Sequence, residues 1–218
     1  MEAIELVTAR LRLRQWRESD REPFACMNID PAVMEFFPAL QSRHASDASI
    51  ALWQSQFSSQ GWSNWAVELL DSGQFVGFLG LTVPRRVLPF SPCVEVGWRL
   101  ARSAWGHGFA TEGGRAVLRV AFERIGLSEV VSFTALGNLR SRAVMERLGL
   151  RNAMQDFEHQ ACRSIMRCVR TVSIASHASN GPRMSPNPSI ERTSQRPLRA
   201  LCAAAHVELQ GLPHEVKR

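Results

Sequence analysis

The stretch Arg102-Ser-Ala-Trp-Gly-His-Gly-Phe-Ala-Thr-Glu112 constrains the fold more than any other part of this 218-residue chain. Gly106 and Gly108 stand between an apolar run, Cys93-Val-Glu-Val-Gly-Trp-Arg-Leu100, and a segment with helical periodicity over about Phe109 to Arg124. The first run reads as a strand and the second as a helix. A glycine-rich turn that opens a helix presents N–H groups with no partner inside the helix, at the positive end of its dipole. Such turns bind anions, phosphate above all. The chain is therefore expected to build a strand–turn–helix unit with a phosphate-bearing ligand at the turn.

Two common phosphate loops do not fit. A nucleotide-hydrolysing loop needs G-x-x-x-x-G-K-[ST], with its lysine on the phosphates. Gly108 to Gly113 has the spacing, but Gly114-Arg115 follows, and the chain's one lysine is Lys217. A dinucleotide fingerprint needs G-x-G-x-x-G and an acid some 20 residues on at a strand end. Here Thr111 stands at the third glycine position, and Glu129 precedes the next apolar run instead of ending it.

Two further blocks accompany the loop. Asn138-Leu-Arg-Ser-Arg-Ala-Val-Met-Glu-Arg-Leu-Gly149 follows the apolar run Val130 to Leu136, with Leu139, Ala143, Met145 and Leu148 on or near one helical face and Gly149 as a stop. Read alone, Asn138 is a helix N-cap and Ser141 a surface residue. At the N-terminus, Thr8-Ala-Arg-Leu-Arg-Leu-Arg14 alternates Leu with Arg as a half-buried strand does, and Asn28-Ile-Asp-Pro-Ala-Val-Met34 follows.

Together these blocks resemble the GNAT N-acetyltransferases over about residues 5 to 170. The G-x-G/A half of that family's R/Q-x-x-G-x-G/A loop is present without its usual Arg or Gln. Trp105-Gly-His-Gly-Phe-Ala-Thr-Glu112 resembles the W-G-x-G-[YF]-A-T-E form of the RimJ/RimL-like branch. The Asn138 to Gly149 block resembles the family's N-x-x-S-x-x-x-x-E-x-L-G-F segment, with Leu150 in place of Phe.

The resemblance implies an α/β (α+β) fold with a central, mixed but mostly antiparallel sheet of about seven strands, flanked by helices and splayed between its fourth and fifth strands. The residues themselves place strands at about 9–15, 63–70, 75–83, 93–100 and 129–136, with weaker ones at 153–159 and 164–172. Helices are expected after Ser19 or Asp20, around 31–37, from Asp47 to Ser58, and over the two motif segments. The folded domain is expected over residues 1–171. Residues 172–218, rich in Ser, Pro, Asn and Arg, read as a disordered tail with a short helix near 197–209.

The same resemblance implies acetyl-CoA as cosubstrate and a primary amine as acceptor, on a protein N-terminus or a small molecule. It places the backbone of Trp98, Arg99 and Leu100 along the pantetheine, and the N–H groups of Gly106, His107, Gly108, Phe109 and Ala110 on the pyrophosphate, with Trp105 beside them. Absence of a Cβ at the glycines allows close approach. Direct amine attack on a thioester needs a base for the amine proton and a donor for the leaving thiolate. Glu95, a carboxylate in an apolar strand, is the candidate base, and burial would raise its pKa; a structural carboxylate bonded to the next strand is the alternative. The tyrosine acid used by many members is excluded, because the chain contains no Tyr. Ser141 is the candidate thiolate donor, and Asn138 would orient the pantetheine or a water. A non-catalytic acyl-CoA sensor would keep the loop without needing Glu95 and Ser141.

Composition bounds the rest. No run of 18 apolar residues is present, so no membrane helix is expected, and Met-Glu-Ala-Ile-Glu5 lacks the features of a secretory signal. Five cysteines without metal spacing point to reduced thiols in the cytoplasm and to no metal site. Of the net charge of +6, half lies after residue 171, so solvated arginines account for the high pI better than nucleic-acid binding does. A monomer or homodimer is expected. Trp16, Phe36, Phe37, Trp62 and Trp65 are candidates for the acceptor pocket or the core, with the core favoured.

Overall fold

The computed structural model describes residues 4–159 and 164–172. Its strands are β1 (Leu6–Val7), β2 (Leu11–Arg14), β3 (Asn64–Leu69), β4 (Phe75–Thr82), β5 (Glu95–Leu100), β6 (Glu129–Ala135), β7 (Arg151–His159) and β8 (Ser164–Val172). Its helices are α1 (Arg21–Asn28), α2 (Arg43–Gln60), α3 (Phe109–Arg119) and α4 (Leu139–Arg147). The strands form one sheet in the order β1-β2-β3-β4-β5-β6-β8-β7. The eighth strand, beyond the seven expected, is β1, which folds back on β2 with Leu6 opposite Leu13. Neighbouring strands are antiparallel except β5 and β6, which a helical crossover through α3 makes parallel.

The helices follow local signals. Ser42 caps α2 by accepting from the Ala45 N–H at 3.2 Å, and Gly61 ends it at φ 83°, so α2 is longer at both ends than the expected 47–58. α3 runs on through a π turn at Val120–Arg124, close to the expected end. The short helix expected around 31–37 is instead a chain of turns. Asp30 accepts from the Ala32 N–H through its side chain and from the Met34 N–H through its carbonyl. Pro38 disfavours helical geometry at the residue before it. The expected tail and its short helix lie outside the described residues.

The two sheet faces are packed differently. On one, α3 lies close against β4, because a Cβ on Gly113 would come within 2.7 Å of Leu79 Cδ1. Leu11, Leu13, Leu79, Leu81 and Val96 are fully buried in this cluster. On the other, aromatic side chains from the sheet, α1 and α2 interlock: Trp16 with Phe24 at 4.9 Å and Trp53 with Phe78 at 4.9 Å.

β5 and β6 meet at one register position, Glu95 opposite Val131, with the Val131 N–H donating to the Val94 carbonyl at 2.9 Å. Beyond it they part. β5 stays paired with β4 from Glu95 to Leu100, and β6 with β8 along its whole length.

A buried charge cluster locks β2 to β3 and to the start of α1. Arg14, 3% exposed, donates to both Asp20 carboxylate oxygens at 2.7 and 2.9 Å and to Glu68 at 2.5 Å. Removing one partner of such a group leaves part of a buried charge uncompensated. Asp20→Ala is therefore expected to lower stability by about 3–5 kcal/mol, whereas Arg12→Met, at the exposed rim of the same cluster, costs about 1 kcal/mol or less. Urea denaturation followed by tryptophan fluorescence checks both.

Candidate functional site

A cavity of about 1570 Å³ opens where β5 and β6 part. Its lining brings together every residue the sequence assigned to catalysis or the cosubstrate: Glu95, Trp98, Arg99, Leu100, Trp105, Gly106, His107, Gly108, Phe109, Ala110, Asn138 and Ser141.

The loop forms one end. Gly106 and Gly108 both adopt φ 80°, a region that side chains with a Cβ disfavour. A Cβ on Gly106 would touch nothing within 4 Å. Glycine is thus required by the backbone conformation itself, in addition to any ligand's approach. Gly108 caps α3 by accepting from the N–H groups of Thr111 and Glu112 at 3.1 and 3.0 Å. The N–H groups of residues 106–110 find no acceptor among the described residues, so a run of donors faces the cavity. Trp105 anchors the loop by donating from Nε1 to the Leu100 carbonyl at 2.9 Å, and Arg140 of α4 lies over its ring at 4.4 Å. His107 stacks on Phe109.

One contributor escaped the sequence reading. Glu112, in the first turn of α3, accepts from Thr8 Oγ1 at 2.7 Å, from the Arg10 N–H at 2.9 Å and from Arg10 Nε at 2.8 Å. Partial burial works against its ionisation, but the bonds from Thr8 and Arg10 outweigh it and hold the carboxyl below its ordinary value. Arg10 also lies over the Phe109 ring at 4.7 Å. The signal was present as the T-x-R block and the T-E pair, but nothing local joined them.

Glu95 sits at the fork, half-buried, opposite Thr82 of β4. It makes no hydrogen bond or ion pair among the described residues, unlike a carboxylate tied to a neighbouring strand. Desolvation pushes its pKa to about 8. Across the gap, Asn138 is the N-cap of α4: its Oδ1 accepts from the Ser141 N–H at 3.1 Å and its Nδ2 donates to Thr134 Oγ1 at 3.0 Å. Asn138 thereby fixes the turn carrying Ser141, whose hydroxyl lines the cavity with no partner among the described residues.

Arg99 has side-chain contacts that the sequence did not suggest. Its side chain leaves β5 on the α1/α2 face and donates from Nη1 to Asn28 Oδ1 at 2.7 Å and Gln41 Oε1 at 3.3 Å. Of the five aromatic candidates, Phe36 and Phe37 line the cavity, while Trp16, Trp62 and Trp65 are buried in the core.

Residues 10–151 match the acetyltransferase (GNAT) domain. The chain belongs to the GNAT acetyltransferases. The family's cosubstrate, acetyl-CoA, carries the pyrophosphate that the loop's donors suit. Among curated relatives, the FsC-acetyl coenzyme A-N(2)-transacetylase of Aspergillus fumigatus is 36% identical over 152 residues, 66% of this chain and 64% of that protein; the chain thus spans a little under two thirds of that relative's length. Among solved GNAT structures, an acetyltransferase from Agrobacterium tumefaciens superposes with a TM-score of 0.66 at 22% identity, over 78% of this chain and 95% of that one. Mycobacterium smegmatis RimJ, in complex with CoA-disulfide, has a TM-score of 0.61 at 18% identity, covering 75% and 82%. Likeness at these identities is a likeness of fold. No helix among the described residues is long and apolar enough to cross a membrane.

The environment of Glu95 in this GNAT domain has a measurable consequence without any substrate. Its folded pKa of about 8 lies above the ordinary 4.5, so the folded state holds more protons between those values. Stability from this group is present below pH 4.5 and is lost as pH rises through 8. Glu95→Gln, which cannot ionise, should melt at a higher temperature than the parent at pH 9, with the difference shrinking towards pH 4.5. Melting curves across that range check it, and an unchanged difference would contradict the unpaired, desolvated carboxylate.

Proposed function

We propose that the chain is an N-acetyltransferase that moves the acetyl group of acetyl-CoA to a primary amine by direct attack. The observation that carries this reading is the fork itself, which sets Glu95 and Ser141 on one cavity beside the row of loop donors. The loop N–H groups at 106–110 would hold the pyrophosphate, and the free edge of β5 at 98–100 would face the pantetheine amides as an added strand does. Glu95 would take the proton from the attacking ammonium-derived amine through a water, its raised pKa matching a base at neutral pH. As the C–N bond forms and the C–S bond breaks, the Ser141 hydroxyl would donate a hydrogen bond to the departing sulfur. Asn138, capping α4, would keep that hydroxyl in place. Preorganised donors of this kind act on charge that develops during the reaction.

The folded unit we assign to residues 1–171, the setting to the cytoplasm, and the assembly to a monomer or homodimer. The acceptor is tested openly: thiol release from acetyl-CoA is measured across a panel of peptides, polyamines and amino acids. Glu95→Gln is expected to lower kcat by about 10²–10⁴-fold and Ser141→Ala by about tenfold, each with CoA affinity within a few-fold of the parent. The deprotonated carboxylate is the active form, so kcat/KM should rise with pH to a plateau above about 8, and Glu95→Gln should lose this inflection. CoA binding without turnover of any amine would instead favour an acyl-CoA sensor.

A further inference from the structure

The guanidinium of Arg99 lacks what the fold gives Arg14. Arg14 is buried between two carboxylates, Asp20 and Glu68. Arg99 lies between the rings of Phe37 and Phe78, its Cζ at 4.0 and 5.5 Å from their centroids, and forms no ion pair among the described residues. Its neutral partners, Asn28 and Gln41, both engage Nη1. Asn28 is itself held by donating to Ser46 Oγ at 2.9 Å, so one arm of the guanidinium is fixed. Nε is the one buried side-chain polar atom left without a partner among the described residues. Nη2 makes no hydrogen bond there either, and Arg99 lines the cavity. Nε and Nη2 share the edge that a carboxylate engages with two parallel bonds. A cation desolvated without a counter-ion is costly, and desolvation lowers its pKa to about 10.

The floor between Arg99 and Glu95 is bare. Residues 95, 97 and 99 point to one face of β5, and Gly97 supplies no side chain; a Cβ there would meet only Glu95 Oε1, at 3.8 Å. The strand sets the Cα atoms of Glu95 and Arg99 about 13 Å apart. A groove with a carboxylate base at one end and an uncompensated guanidinium at the other fits a molecule with an amine and a carboxylate separated by a chain.

We propose that the acceptor is an amino acid-type molecule whose carboxylate binds the Nε–Nη2 edge of Arg99 while its amine, several bonds away, faces Glu95. The inference rests on the acetyl-transfer reading for the amine end, and on Arg99 alone for the carboxylate end.

The test uses the full chain with acetyl-CoA and a series of ω-amino acids, from β-alanine to 8-aminooctanoate, each against the n-alkylamine and the diamine of equal length. The best ω-amino acid should exceed its alkylamine in kcat/KM by about tenfold or more, with the diamine lowest. Arg99→Met should bring the ratio of amino acid to alkylamine near one, whatever it does to absolute turnover. Arg99→Lys should restore part of it, since an ammonium keeps the charge without the fork. Diamines preferred by the parent, or a ratio that survives Arg99→Met, would overturn the proposal and leave acetyl transfer standing. Melting of the CoA-bound protein with the same compounds provides a readout independent of turnover. Stabilisation by ω-amino acids that Arg99→Met abolishes, without turnover of any amine, would support the carboxylate site and overturn acetyl transfer. No stabilisation and no turnover would overturn the carboxylate site.

Discussion

The short parallel ladder at Glu95 and Val131, where the Val131 N–H donates to the Val94 carbonyl, is the hinge of this architecture. It is where two parallel strands are joined, and past it they part. An edge of backbone donors and acceptors turned away from a partner costs about 1 kcal/mol or more for each group left unsatisfied. The chain tolerates the gap because each strand is secured on its other side, β5 by β4 and β6 by β8. Were β6 to zip along β5, the cavity would close, Glu95 would be covered and the loop at 106–110 would face a wall. An extended molecule bearing amides can complete the sheet where the protein does not. The parted strands leave one edge of β5 open to the cavity.

Away from the fork, polar groups in the interior are matched. Arg14 has Asp20 and Glu68, Asn28 has Ser46 and Arg99, and the Trp16 indole donates to the Asn64 carbonyl at 2.7 Å. Around the cavity some groups go unmatched among the described residues: Glu95 lacks a partner, Arg99 Nε is orphaned, and the N–H groups of residues 106–110 have no acceptor. Proteins rarely leave buried polar groups unsatisfied, since each one costs stability. Several such omissions fall along one strand and its following turn, all on the cavity. The two ionisable examples shift in the directions desolvation dictates, the acid upwards and the cation downwards.

What could be read from the sequence was what the backbone encodes locally. The glycines at 106 and 108 announced the turn, alternation put Glu95 opposite Val94 and Val96 in facing, and Asn138 three residues before Ser141 announced a cap. Each depends on residues within a turn or a strand pitch of one another. What stayed hidden depends on contacts across the chain. Thr8 and Arg10 reach Glu112 over more than a hundred positions, so two recognisable motif pieces gave no hint that they bind each other. Arg99 appeared as one more residue of a strand, because its significance lies in the acids that are missing around it, which only the packed fold reveals. The turns at 30–38 were misread as a helix because apolar spacing there reflects Val33 and Met34 turning into the core and Phe36 and Phe37 turning to the cavity.

Trp105 connects these levels. Its indole N–H ties the loop back to the end of β5, its ring carries Arg140 of α4, and Arg140 in turn pairs with Glu35 at 2.8 Å. Loop, second motif helix and the turn segment bearing Phe36 and Phe37 are thereby linked around the cavity. The links are modest in strength: a cation–π contact of about 1 kcal/mol at an exposed site, and an exposed ion pair of about 1 kcal/mol or less. Bonds of that size are weak beside the buried charge cluster that joins β2 to β3. The strongly locked β2–β3 charge cluster of Arg14, Asp20 and Glu68 lies outside the cavity lining, whereas the weakly linked Trp105, Arg140, Phe36 and Phe37 all line it.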